Sequence, residues 1–129
     1  MFKAQAAFSG MSVNDLDRAK QFYTETLGLE LDDETMGLQF KLPNGGGLFL
    51  YPKADHQPAT FTVLNFVVDD IDAAVDELTR SGVMFERYDD MPSGQDEKGI
   101  ARGLSAHQGP HIAWFKDPAG NILAVLQDK

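Results

Sequence analysis

Two stretches of the chain share one order of apolar and polar segments. Each opens with a short apolar run, 8–13 in the first stretch and 61–68 in the second. An Asp follows each run, Asp15 and Asp70. The carboxylate of such an Asp can accept a hydrogen bond from a free amide in the first turn of a helix. We therefore predict that each stretch begins with a strand followed by a capped helix.

Behind each cap, apolar residues recur at helical spacing. The first set ends before Gly28 and the second before Gly82, and glycine favours the left-handed conformation that ends many helices. The two sets are Leu16, Ala19, Phe22, Tyr23 and Leu27, and Ile71, Ala74, Val75 and Leu78. One helix is thus predicted in each stretch.

Three short strands are predicted after each helix. Alternating apolar and polar residues are typical of strands, and turns rich in Pro, Asn and Gly join the last two strands as a hairpin. The predicted strands are 29–32, 38–42 and 48–51, and 83–86, 111–116 and 122–126. Each stretch therefore has the plan βαβββ.

The two stretches form an internal repeat. Val13–Ala19 has its counterpart 55 positions later in Val68–Ala74, and Phe40–Gly45 has its counterpart 75 positions later in Phe115–Gly120. The difference of 20 positions predicts an insertion in the second copy. The polar segment 89–110 is its expected place, either as a loop over a binding site or as a solvated loop without a role.

These patterns predict an α+β fold. We expect a single domain, 1–129, made of repeat 1 (about 5–53) and repeat 2 (about 60–128). Neither repeat is long enough to cover both faces of its own sheet. Two βαβββ modules side by side would form one curved eight-stranded mixed sheet, with helices on the convex face and a cavity or partner surface on the concave face.

Composition narrows the possible partners. The 11 Lys and Arg against 20 Asp and Glu give a net charge of −9, which argues against nucleic-acid binding and suits either a solvated surface or a cationic ligand. Cysteine is absent, so disulfides and thiolate chemistry are excluded. No apolar run approaches a membrane span, and the start, MFKAQAAFSG, does not resemble a signal peptide. We expect a cytoplasmic protein that binds no membrane.

Motifs near both ends of the chain resemble the vicinal oxygen chelate superfamily. They are VNDLDRA at 13–19 with FYTETLGL at 22–29, and the closing WFKDPAGNIL at 114–123. The superfamily includes glyoxalase I, extradiol dioxygenases, fosfomycin-modifying enzymes and bleomycin-sequestering proteins. Small members pair their modules across a subunit interface, so the resemblance implies a homodimer.

The resemblance also implies where a metal ion would be held. Metal-dependent members use one His, Gln or Glu from each of four strands, and the matching positions here are Phe8, Phe49, Val63 and Ala124. None of these side chains has a donor atom for a divalent ion. We therefore expect no metal cofactor and an apolar ligand pocket in its place; the alternative is that these residues only fill the core.

Strand alternation adds Tyr51 and Asn65 to the pocket. Arg102 in the insertion could meet an anionic ligand, and His111 at a strand start could act as a general base. Trp114 is a candidate wall, although the hairpin register leaves its face open. The predicted ligand pocket comprises Phe8, Phe49, Tyr51, Val63, Asn65, Arg102, His111, Trp114 and Ala124.

Three functions fit these residues. The favoured hypothesis is a glyoxalase/bleomycin-resistance-like protein that binds a small organic ligand in a metal-free pocket. The alternative is a metal-dependent lyase, dioxygenase or transferase with ligands from atypical positions such as His111, Tyr51 or the insertion. A third is a metal-free enzyme in which Tyr51, His111 or Arg102 performs acid–base or electrostatic work.

Overall fold

The computed structural model describes residues 1–91 and 94–129 of the chain, which divide into two compact units, Met1–Pro58 and Ala59–Lys129. Each unit contains a four-stranded mixed sheet and an α-helix. The predicted α+β class is confirmed. The joining of both sheets into one curved eight-stranded sheet concerns the arrangement of the units and stays a prediction. Positions 92 and 93 of the predicted insertion lie outside the described residues.

The first unit has the sheet order β1-β4-β3-β2, with β1 parallel to β4 and the other pairs antiparallel. Its elements are β1 Ser9–Val13, α1 Leu16–Gln21, β2 Glu30–Asp33, β3 Leu38–Lys41 and β4 Gly47–Pro52. The helix α1 continues into a π-helical turn, Phe22–Thr26. A short 3-10 turn, Pro43–Gly45, joins β3 to β4.

The second unit repeats this order as β5-β8-β7-β6. Its elements are β5 Thr62–Val67, α2 Ile71–Arg80, β6 Ala101–Arg102, β7 His111–Lys116 and β8 Ile122–Gln127. The strand β5 is parallel to β8, and the other two pairs are antiparallel. The two units therefore share one topology.

The predicted helix ends are confirmed. The Asp15 carboxylate accepts a hydrogen bond from the amide of Arg18, and that of Asp70 from the amide of Ala73, both at 3.2 Å. Two glycines with positive φ follow the helices, Gly28 at 71° and Gly82 at 99°.

The predicted strand 83–86 is wrong. Residues 83–88 form no regular element, although the Glu86 amide donates a hydrogen bond to the Trp114 carbonyl at 2.8 Å. The short strand β6 pairs instead with β7, Ala101 opposite Ile112. The chain leaves β7 after Glu86 and returns to it at β6. Two separate segments, one at Glu86 and one at Ala101–Arg102, therefore share the edge of β7.

The core of each unit lies between its helix and its sheet. In the first unit the rings of Tyr23 and Phe40 meet at 5.6 Å, and both side chains are fully buried. In the second, Ile71 and Val75 of α2 are buried, as is Phe115 of β7. Among the described residues, no helix has the length and apolar character that a membrane span needs.

Candidate functional site

Each sheet has one face packed against its own helix and an opposite face, here called the distal face. Paired residues on neighbouring strands lie on the same face. In the first unit, Leu48 and Leu50 of β4 are buried on the helix-packed face. Strand alternation places Phe49 and Tyr51 on the distal face, where Phe49 pairs with Gly10.

Three of the predicted pocket residues form an aromatic row in the first unit. The ring of Phe8 meets Phe49 edge to face at 6.4 Å, and Phe49 stacks on Tyr51 at 6.0 Å with an interplanar angle of 22°. Phe8 is 66% exposed and Tyr51 is 38% exposed. The row therefore offers ring surface that a ligand or partner could cover.

A polar pair lies on the same face. The Ser12 hydroxyl and the Nδ1 atom of His56 are 2.6 Å apart, and Ser12 pairs with Tyr51 across β1 and β4. Sequence analysis missed this contact because the two residues lie 44 positions apart and His56 belongs to no predicted element.

In the second unit, three predicted pocket residues lie side by side on the distal face. Ala124 of β8 pairs with Asn65 of β5 on one side and Trp114 of β7 on the other. Ala124 is fully buried, whereas Asn65 is exposed. Val63 has no paired partner in β8, because the register shifts between Thr62 and Leu64. The register thus places Trp114 on the distal face.

Arg102 and His111 lie on the other face of the same sheet. They pair with each other across β6 and β7, and His111 pairs with Gln127, whose side chain accepts a hydrogen bond from the Ile71 amide at the start of α2. The Nδ1 atom of His111 is buried and has no hydrogen-bond partner among the described residues. The structure therefore does not bring these two residues together with Trp114.

A network of charges ties the insertion to α2, and we call it the insertion clamp. The guanidinium of Arg102 hydrogen-bonds the carboxylates of Asp72 and Asp96. Lys98 lies 3.3 Å from Asp72 and 3.1 Å from Asp76. The hydrogen bond from Arg102 lowers the pKa of Asp72 to about 2. Arg102 and Lys98 are thus already paired with carboxylates, which weakens the prediction that Arg102 meets an anionic ligand.

The insertion borders a half-open cavity of about 510 Å³ against the distal face, here called the insertion cavity. Three lining residues come from the sheet and four from the adjoining loops: Ala101, Ile112 and Trp114, and Met91, Gly103, Gln108 and Pro110. Trp114 is the one predicted pocket residue among them. The four loop residues were missed because loops without periodicity give no signal for the face that they cover. Ile112 has the same parity as Trp114 in β7 and was missed because the face of Trp114 was left open, and Ala101 lies in a strand that was not predicted.

Two contacts hold the Trp114 ring in place. Its Nε1 atom donates a hydrogen bond to the Thr62 hydroxyl at 3.1 Å. The ring of Tyr88 meets it at 5.4 Å and 82°. Burial raises the pKa of the Tyr88 phenol, with a further contribution from the charge of Glu86, so Tyr88 stays neutral beside the indole.

The first unit contains a cavity of different chemistry, about 580 Å³, here called the polar cavity. Its lining includes the charged side chains Glu30, Asp32 and Lys41, together with Gln39 and one member of the aromatic row, Phe8. Charged walls hold water, so this space suits an apolar ligand poorly.

The four positions that would hold a metal ion do not fit one. Phe8 lies just before β1, Phe49 in β4, Val63 in β5 and Ala124 in β8, and their side chains are hydrocarbon. Within residues 1–91 and 94–129, no group of three or more His, Cys, Asp or Glu side chains is arranged to hold a metal. The residues at the four positions can therefore contribute apolar surface but no metal ligand.

The two βαβββ units, each with a distal sheet face, define a small α+β protein built from a structural repeat. The sequence model of the Glyoxalase/Bleomycin resistance protein/Dioxygenase superfamily matches residues 6–125. The chain belongs to this superfamily.

Relatives and solved structures agree with this assignment. A probable lactoylglutathione lyase of Vibrio cholerae is 26% identical over 92% of this chain and 87% of its own length. The fold matches TnmS3, an antibiotic binding protein from a Streptomyces species (TM-score 0.69, 24% identity, 100% of this chain and 99% of that one). It also matches a lactoylglutathione lyase from Agrobacterium tumefaciens (TM-score 0.62, 22% identity, 97% and 95%).

Proposed function

We propose that this protein binds a small organic molecule in a metal-free, largely apolar pocket. One observation carries the proposal: the four positions that would hold a metal ion are Phe8, Phe49, Val63 and Ala124. Hydrocarbon side chains cannot coordinate a divalent ion, but they can form the apolar wall of a ligand pocket.

The geometry around these positions supports binding. Phe8 and Phe49 belong to the aromatic row, and Ala124 lies between Asn65 and Trp114. Apolar surface with a few polar groups is typical of small-molecule sites. An antibiotic binding protein among the structural neighbours is consistent with a binding role.

The experiment is elemental analysis of the purified protein, followed by thermal unfolding with Ni²⁺, Zn²⁺, Mn²⁺, Fe²⁺ or Co²⁺ added. We expect far less than one metal ion per chain and no change in melting temperature. A metal-dependent member of the superfamily, measured in parallel, serves as the positive control. One tightly bound ion per chain with a clear rise in melting temperature would overturn the proposal.

The second candidate is a metal-dependent lyase, and the name of the Vibrio cholerae relative favours it. It requires ligands from atypical positions. Of those, His111 lies on the helix-packed face beside Arg102, and Tyr51 stacks on Phe49. The same metal analysis distinguishes the two candidates.

We also propose a homodimer in the cytoplasm. Exposed apolar side chains, among them Phe61, Val67 and Met84, would be removed from water in an interface. Sedimentation at tens of micromolar should give twice the chain mass of 14.2 kDa. A mass equal to one chain would contradict the dimer.

A further inference from the structure

The insertion cavity differs from the rest of the surface in the chemistry of its walls. The protein carries a net charge of −9, yet the residues that line this cavity are Met, Ala, Gly, Gln, Pro, Ile and Trp. None of them is ionisable. A charged ligand group placed inside would lose water without meeting an opposite charge, which is costly.

We infer that the insertion cavity selects uncharged, ring-containing organic molecules and rejects charged analogues of the same shape. This inference rests on the proposed function, since Trp114 of this cavity pairs with Ala124, and it names the class of ligand. It runs against the expectation that the acidic surface selects a cation. It also excludes glutathione conjugates from this cavity, since they carry carboxylates.

Trp114 makes the cavity suited to flat rings. Its Nε1 hydrogen bond to Thr62 and its contact with Tyr88 hold the indole before any ligand arrives. A fixed aromatic wall binds a planar ring without a further loss of side-chain freedom. Because Nε1 already has an acceptor, the indole contributes its ring rather than a hydrogen bond to the ligand.

The insertion clamp lies on the opposite side of β6 from the insertion cavity and holds that wall in place. The strand β6 turns Ala101 toward the cavity and Arg102 toward Asp72 of α2. The cations that could attract an anion therefore face away from the ligand space. Gly103 follows in the lining, and a Cβ atom there would come within 2.2 Å of the Pro110 carbonyl oxygen. The wall is thus closely packed.

The test uses three naphthalenes of one shape and different charge: 1-naphthalenemethanol, 1-naphthoate and 1-naphthylmethylammonium. Affinities come from isothermal titration calorimetry of the full chain at neutral pH. The site is reported by the indole N–H resonance in a ¹H–¹⁵N spectrum, since Trp114 is the sole tryptophan. We expect the alcohol to bind at least tenfold more tightly than either ion and to move that resonance.

A matched pair of variants tests the cause. Gln108→Glu places a carboxylate in the lining of the insertion cavity, at an exposed position where the fold should tolerate it. We expect it to raise the affinity for 1-naphthylmethylammonium relative to the alcohol by several fold. Gln39→Glu makes the same change in the polar cavity and should leave that ratio unaltered.

Two results would overturn the inference: an ion that binds as tightly as the alcohol while moving the indole resonance, or an indole resonance that none of the three probes moves. Neither result touches the metal-free proposal, which fails only if the metal analysis finds a bound ion. The two failures are therefore distinguishable.

Discussion

The guanidinium of Arg102 donates two parallel hydrogen bonds to the carboxylate of Asp72, at 2.7 and 2.9 Å. The two residues are 30 positions apart, one in the insertion and one in the first turn of α2. This bidentate pair, together with Asp96, fixes the path of the insertion, and with it one wall of the insertion cavity. Charge-assisted, bidentate hydrogen bonds of this kind are stronger and more specific in geometry than hydrogen bonds between neutral groups.

Arg102→Ala should lower the free energy of unfolding by about 1 kcal/mol, because it removes a bidentate pair in a network that is only half exposed. Urea unfolding followed by circular dichroism measures the change. The control is Lys20→Ala, which removes a more exposed pair with Glu34 at 3.1 Å and should cost almost nothing. Equal losses in the two variants would contradict the role of the clamp.

The Asp72 pair should also appear in the pH dependence of stability. The pKa of Asp72 falls from 3.8 to about 2 in the folded protein because of the hydrogen bond from Arg102. A lowered pKa contributes stability above the unfolded value, and this contribution is lost as pH falls from about 4 to about 2. The Asp72 side chain is 45% exposed, so water limits the contribution to about half a kcal/mol.

Asp72→Asn provides the measurement. The difference in unfolding free energy between wild type and variant should be largest near neutral pH and shrink as pH drops through this window. A difference that stays constant down to about pH 2 would show that the ionised carboxylate is not the cause.

Asp117→Ala should cost about 2–3 kcal/mol, because buried donors would lose their acceptor. The Asp117 carboxylate accepts hydrogen bonds from the amides of Ala119 and Asn121 at 2.9 Å and from the Asn121 side chain at 3.0 Å. Thermal unfolding measures the loss. Asp128→Ala, at an exposed position near the chain end, is the control and should change the melting temperature little; a similar shift in both variants would refute the expectation.

Gly37→Ala should destabilise the first unit by about 2 kcal/mol or more. The φ angle of Gly37 is +144°, and a Cβ atom there would lie 2.6 Å from the Leu50 carbonyl oxygen, a backbone atom that cannot move aside. Gly46→Ala is the matched control, since Gly46 has φ −74° and its Cβ would lie 4.0 Å from Leu42. Comparable melting temperatures for the two variants would contradict this account.

Local signals predicted the parts of the fold that local physics decides. Asp15 and Asp70 cap their helices because the cap depends on a few neighbouring residues. The strand β6 has only two residues, too few to show any alternation, and its pairing depends on where the insertion returns. The sequence pattern therefore placed the edge strand of the second sheet at 83–86 rather than at β6.

Sequence analysis could predict the candidate site only where the alternation of side chains along a strand fixes the sheet face on which a residue lies. His111 and Trp114 are three positions apart in one strand, so alternation alone requires them to face opposite ways, and they cannot line one sheet face together. The partners of Arg102 were hidden because Asp72 and Asp96 reach it only through tertiary contacts. Met91 and Gln108 line the insertion cavity because of the paths of their loops, and loop residues show no periodic sequence pattern from which those paths could be predicted.

The divided edge of β7 has a consequence for how such a protein can change over generations. The insertion returns to the sheet through the two residues of β6, and the clamp holds it from the helix side. The segment between 86 and 101 also contains Asp96 of the clamp and the fully buried Ile100, so a change in its length would disturb the hydrophobic core as well as the insertion cavity. Residues that line the ligand space and residues that stabilise the fold therefore share the same segments, Ala101 and Trp114 lying in the sheet itself, so a mutation that alters ligand preference here also alters stability.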